Sequence, residues 1–121
     1  MTYDENNIFA KILRGEISCK KIYEDEFVLS FFDINPQKKI HALVIPKGKY
    51  INLDDFACKA SEKEIVGLIK GLNTVAQKLN ISSNTGKGYR ALANISENGG
   101  QEVPHLHFHL FGGEKVGKMV E

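Results

Sequence analysis

Tryptophan is absent from this 121-residue chain, and cysteine occurs only twice, at Cys19 and Cys58. Two widely separated cysteines without a CxxC pair exclude a small disulfide scaffold and a cysteine-based zinc site. They fit reduced thiols in a cytoplasmic protein. Neither sign of charge prevails, since 16 Lys and Arg face 15 Asp and Glu for a formal net charge of +1. A protein dedicated to nucleic acid or to an anionic membrane would carry a basic excess, so neither partner is expected. No apolar run approaches the roughly 20 residues of a membrane-spanning helix. The polar opening MTYDENN lacks the order of a secretory signal. Repeats, low-complexity tracts and long linkers are also missing, and the length suits one domain over residues 1–121.

What is present reads as an α+β fold. Asn7 caps a short helix that carries Ile8, Phe9, Ile12 and Leu13 on one face and stops at Gly15. Residues 20–23 and 27–32 predict a hairpin around Glu24, Asp25 and Glu26. Residues 40–45 form a short apolar strand ended by Pro46. Ser61 and Glu64 have capping-box spacing, and Ile65, Leu68, Ile69, Leu72, Val75, Ala76 and Leu79 follow at steps of three and four. This predicts a long helix over 61–80 with a broad apolar stripe. Strands at 89–94 and 105–111 flank the turn Glu97-Asn98-Gly99-Gly100. Strands in succession predict an antiparallel sheet of about five strands with one long and one short helix. Gly67 and Gly71 each cost the long helix roughly 1 kcal/mol relative to alanine. That predicts close approach of another backbone there and, with the broad stripe and small size, a homodimer.

Three of the four histidines, His105, His107 and His109, alternate along the last strand. They would share one face while Leu106, Phe108 and Leu110 share the other. Such a cluster serves one of two chemistries. In a metal site, His-x-His on a strand is a ligand pair that His41 would complete. In catalysis, an imidazole with a pKa of about 6.5 is neutral at pH 7 yet easily protonated, which suits a nucleophile or an acid–base group. Gly99-Gly100-Gln101 lets backbone amides approach an anion closely. The nearest carboxylates, Glu102 and Glu114, lack obvious ligand spacing.

The run His105-Leu106-His107-Phe108-His109-Leu110-Phe111 resembles the His-φ-His-φ-His-φ-φ pattern (φ hydrophobic) of the histidine-triad nucleotide-binding superfamily. Four other segments resemble its Hint branch in order. They are Asn7-Ile8-Phe9-Ala10-Lys11-Ile12, Asp33-Ile34-Asn35-Pro36-Gln37 with His41-Ala42-Leu43-Val44-Ile45-Pro46-Lys47, Gly88-Tyr89-Arg90 with Asn94, and Gly99-Gly100-Gln101-Glu102-Val103. The likeness spans roughly residues 6–113 and implies the fold of that family. It also implies hydrolysis of a nucleoside 5′-phosphoramidate, or a similar adenylated amine, without metal or cofactor. By resemblance His107 is the nucleophile, His109 contacts the phosphate and assists the leaving amine, and His105 and His41 orient and relay protons. The departing amine needs a proton, which a neighbouring imidazolium can donate.

The resemblance further implies a purine pocket of the AMP or GMP kind, walled by Ile8, Phe9, Ile12, Phe31, Phe32, Ile34 and Leu43. Asp33 would accept from the ribose hydroxyls, and Asn94, Gly100, Gln101, Glu102 and Val103 would surround the phosphate through side-chain and backbone groups. The chain departs from the pattern at Glu102, where a serine is common, at Pro104 before the triplet, at Glu114, and in a short tail. Gly112-Gly113 favours the Hint branch over the dinucleoside polyphosphate hydrolases. That activity, a metal-binding protein and a non-catalytic nucleotide binder are the alternative readings.

Overall fold

Helix α1 (Ile8–Leu13) starts where the Asn7 side-chain oxygen accepts a hydrogen bond from the Ala10 amide. The computed structural model describes residues 2–120. After α1 come strands β1 (Lys21–Glu24), β2 (Val28–Phe32) and β3 (Ile40–Pro46), then helices α2 (Leu53–Lys59) and α3 (Glu62–Lys78). Strand β4 (Arg90–Leu92), the single helical turn α4 (Ser96–Gly99) and strand β5 (Phe108–Gly112) follow. The strands form one antiparallel sheet in the order β1-β2-β3-β5-β4, so the last strand in sequence is interior to the sheet. This is the α+β architecture expected from the succession of strands.

Alternation along the strands decides which residue goes to which face. Val28, Ala42 and Val44 join Leu106 and Leu110 in a core beneath Leu68, Leu72 and Val75 of α3. Their alternating neighbours Leu29, Phe31, Leu43 and Ile45 form a second core with Phe9 of α1 on the opposite face. Leu43 stands directly across the ladder from His109, so His109 lies on the α1 face, as does His41, two residues before Leu43. Among the described residues, no helix is long and apolar enough to cross a membrane. Cys19 is half-buried, Cys58 is exposed, and both are free.

Several expectations need correction. The strand predicted at 105–111 begins only at Phe108, because the His105 amide turns back to the Val103 carbonyl and the Leu106 amide goes to Tyr50. The strand at 89–94 contracts to Arg90–Leu92. Two helical segments, α2 and α4, add to the two expected. Helix α2 buries only Phe56, so it has no apolar period to detect, although Asn52 caps it and Asp54 and Asp55 occupy its first turn. Helix α3 has the expected capping box, but its buried stripe is Leu68, Gly71, Leu72, Val75 and Ala76, with Ile65 and Ile69 exposed.

The glycines of α3 serve a contact within the chain, not the backbone of another. A Cβ on Gly67 would sit 2.5 Å from the Phe27 ring, and one on Gly71 would sit 2.8 Å from Val28. The hairpin end of β2 therefore lies directly on the helix. Gly67→Ala gains about 1 kcal/mol of helix propensity but must displace the base of Phe27, an overpacking cost of about 1–3 kcal/mol. Urea denaturation should show a net loss of about 1 kcal/mol. An unchanged or raised midpoint would contradict this packing.

Candidate active site

Four imidazoles meet on the α1 face of the sheet. His41 Nε2 and His109 Nδ1 lie 2.9 Å apart, and the His107 and His109 ring centroids are 5.1 Å apart. Phe9 stands edge-on to His107 at 4.9 Å. Beside them opens a cleft of about 160 Å³, lined by Phe9, Asp33, Gln37, Leu43, Asn94, Gly100, Glu102, Val103, His107 and His109. One wall is the turn after β4. Gly100 there adopts φ +75°, a left-handed conformation that glycine tolerates best.

Hydrogen-bond chemistry assigns the tautomers. A carbonyl only accepts, so the 2.7 Å contact to the His105 carbonyl places a proton on His107 Nδ1. Its Nε2 then carries the lone pair. His105 Nε2 likewise donates to the Pro46 carbonyl at 2.9 Å, so its Nδ1 accepts from the Tyr3 hydroxyl at 2.6 Å. The Gln37 amide donates to His41 Nδ1 at 3.2 Å, which makes His41 Nε2 the donor toward His109 Nδ1. His109 then keeps its proton on Nε2. Asp33 places Oδ2 3.4 Å from His41 Nε2, while its Oδ1 accepts from the Asn35 amide.

Burial keeps these rings neutral. It pushes the pKa of His105 down to about 4 against the favourable bond to Pro46. His109 also falls to about 4, first through burial and then through His107 and His41. His107 is lowered by burial despite its bond to the His105 carbonyl and the charges of Asp33 and Glu102, and His41 is lowered by burial despite Asp33. The imidazolium expected beside a leaving amine is therefore not the form these rings take at pH 7.

Of the residues singled out in the sequence, Phe9, Asp33, Leu43, Asn94, Gly100, Glu102, Val103, His107 and His109 line the cleft. His105 and His41 stand behind it, through the contacts given above. Phe31 and Ile12 pack beneath it in the second core. Ile8 and Phe32 are partly exposed and Ile34 is 86% exposed, all outside the lining. The Gln101 side chain is not free to meet a phosphate with its amide hydrogens. It donates to the carbonyls of Ile51 and Val103 and accepts from the Ser96 amide, which staples the wall of the cleft to the segment before α2. Glu114 accepts from the Lys39 amide and is not part of the lining. Sequence reasoning missed two residues, Gln37 and Tyr3. Gln37 lies inside a segment already matched to the superfamily, whereas nothing in the sequence connects Tyr3 with His105.

A family model described as HIT domain matches residues 14–116. The chain belongs to the HIT family. An uncharacterised HIT-like protein of Azospirillum brasilense is 52% identical, covering 98% of this chain and 95% of its own. The purine nucleoside phosphoramidase of Escherichia coli K12 is 36% identical, covering 96% of this chain and 94% of its own. A HIT family hydrolase from Clostridium thermocellum superimposes with a TM-score of 0.85 at 37% identity, covering 98% and 99% of the two chains. A histidine triad protein from Clostridium difficile gives 0.82 at 37% identity, covering 97% and 98%.

In this HIT protein Asp33, His41 and His109 hold one potential ligand atom each within 4.8 Å of one another. A tetrahedral ion with bonds of about 2.0–2.1 Å would keep its ligands about 3.4 Å apart. The 2.9 Å between the two imidazole nitrogens suits a shared proton better.

The depressed histidines also set an acid limit on the HIT fold. Above about pH 6.5 they are neutral in both folded and unfolded chains and contribute no pH dependence. As the pH falls further, the unfolded chain takes up protons that His105 and His109 refuse until about 4. Stability is therefore lost with falling pH, and the thermal midpoint should already drop between about pH 6.5 and 5, above the usual carboxylate range. A flat midpoint across that interval would contradict neutral burial.

Proposed function

We propose that the protein is a nucleoside 5′-phosphoramidate hydrolase of the Hint branch, releasing nucleoside monophosphate and free amine through a nucleotidyl-histidine intermediate. The observation that carries this reading is the tautomer of His107. With Nδ1–H committed to the His105 carbonyl, Nε2 offers its lone pair beside a cleft that His107 and His109 both line. The relation to a phosphoramidase at 36% identity supports the substrate class.

The bound phosphate, being anionic, raises the His109 pKa from its depressed value and supplies the site with the proton it lacks. His107 Nε2 attacks the α-phosphorus. The P–Nε2 bond forms as the bond to the amine nitrogen breaks, and that nitrogen leaves with its electron pair and a proton from His109. Water then attacks phosphorus and gives its proton to His109, and the P–Nε2 bond breaks to release the monophosphate. His41 holds the neutral His109 ring through the 2.9 Å bond, and when His109 is protonated the His41 Nε2–H turns to Asp33 Oδ2, 3.4 Å away. The Gly100 and Gln101 amides already donate to the Glu97 and Ser96 carbonyls, so the lining residues Glu102 and Val103 supply the backbone donors for the phosphoryl oxygens.

A cleft of about 160 Å³ suits the phosphate end of the substrate. The purine of an AMP- or GMP-type ligand then rests on the exposed apolar rim of Ile8, Phe32 and Ile34, residues that adjoin the lining residues Phe9 and Asp33 in sequence. Asp33 serves the ribose hydroxyls. The test is mass spectrometry of enzyme quenched during turnover of adenosine 5′-phosphoramidate, which should show an adenylyl adduct on His107. His107→Ala should lower kcat by about 10³-fold or more, and turnover by the native protein should persist in EDTA. Near-normal turnover by the variant, or turnover that requires a divalent ion, would overturn the mechanism.

A homodimer belongs to the same reading. Its support is now the outer face of α3, where Ile65, Val66 and Ile69 are exposed (Ile69 by 60%), together with β4 at the sheet edge. Sedimentation equilibrium at micromolar concentration should give about twice the 13.5 kDa of one chain. A fully active 13.5 kDa particle would show the protein to be a monomer.

A further inference from the structure

His105 and His107 precede β5, so the hydrogen-bond ladder of the sheet does not hold them. Two backbone bonds do part of that work, His105 amide to Val103 carbonyl at 2.9 Å and Leu106 amide to Tyr50 carbonyl at 2.8 Å. The His105 side chain does the rest. It is completely buried, and each of its ring nitrogens has one partner, the Pro46 carbonyl for Nε2 and the Tyr3 hydroxyl for Nδ1. The carbonyl of this same residue accepts the Nδ1–H bond that orients His107.

We propose that Tyr3 is a positioning residue for the nucleophile, acting through His105, a proposal that rests on the role of His107 given above. The Tyr3 hydroxyl lies 2.6 Å from His105 Nδ1, and the two rings meet edge to face with centroids 5.6 Å apart. Burial raises the phenol pKa, so the hydroxyl remains protonated and able to donate at neutral pH. Without that donor a buried nitrogen lone pair has no partner. The His105 ring must then turn or admit water, and either response loosens the buried side-chain anchor of the backbone whose carbonyl holds His107. Tyr3 lies outside the 14–116 span of the HIT domain match, so the contact is supplied by a segment beyond the matched region.

Tyr3→Phe keeps the ring and removes only the hydroxyl. In rapid-quench experiments with adenosine 5′-phosphoramidate, adduct formation should slow by about tenfold, as expected for a small misplacement of a reacting group. The Kd for adenosine monophosphate should stay within about twofold, because the cleft lining is untouched. Tyr23→Phe removes a hydroxyl bonded to Asp25 at the far hairpin and should change neither quantity. Imidazole nitrogen NMR of Tyr3→Phe should show a displaced His105 Nδ1 resonance and faster solvent exchange of the His107 Nδ1 proton. An adduct rate equal to that of the native protein, or an unchanged His107 exchange rate, would overturn the proposal. The spectra require no turnover. A native protein that forms no adduct therefore defeats the phosphoramidase reading, while the exchange rate still decides the role of Tyr3.

Discussion

A neutral imidazole taken out of water must find an acceptor for its N–H and a donor for its lone pair, and this requirement organises the centre of the molecule. His105 meets it with Pro46 and Tyr3, and His41 meets it with Gln37 and His109. His107 meets half of it, donating Nδ1–H to the His105 carbonyl. The remaining lone pair on Nε2 is the nucleophilic atom of the proposed mechanism. His109 likewise has one partner, His41 at Nδ1, which leaves its Nε2–H open. The asymmetry separates the two fully bonded rings, His105 and His41, from the two that line the cleft, although all four share one residue type.

The sheet makes this arrangement possible by placing β5 between β3 and β4. An interior strand is buried on both faces, with α3 over Leu110 and the histidine cluster opposite. Burial depresses the imidazole pKa values, and the rings are therefore neutral at neutral pH. In the proposed mechanism the proton arrives with the anionic ligand, so binding of phosphate and readiness to protonate the leaving amine are one event. Gln101 contributes from outside the cleft by tying the Ser96–Val103 turn to Ile51, which holds the Gly100 backbone in place.

The contact between α3 and the hairpin shows how a correct sequence observation can lead to the wrong cause. Gly67 and Gly71 are indeed sites of close approach, but the approaching groups are Phe27 and Val28 of the same chain. A glycine in a helix reports that something comes near. It does not report whether that neighbour lies 40 residues away in the chain or in another molecule.

Periodicity and chemistry made much of the protein legible from its residues alone. The Asn7 cap, the Ser61–Glu64 capping box, the hairpin and the alternation of His105, His107 and His109 against Leu106 and Leu110 follow from local rules, and each is found in the fold. The ordered segments around the triplet identified the HIT family, because they are local in sequence too. Tertiary structure alone decided what depends on distant partners. Helix α2 has one buried residue and no period to read, and β5 starts at Phe108 because Tyr50 takes the Leu106 amide. The tautomers depend on Pro46, Tyr3 and Gln37, residues 59, 102 and 4 positions from the histidines they touch. A residue's type declares which hydrogen bonds it can make, but only the folded chain determines which partner arrives to make them.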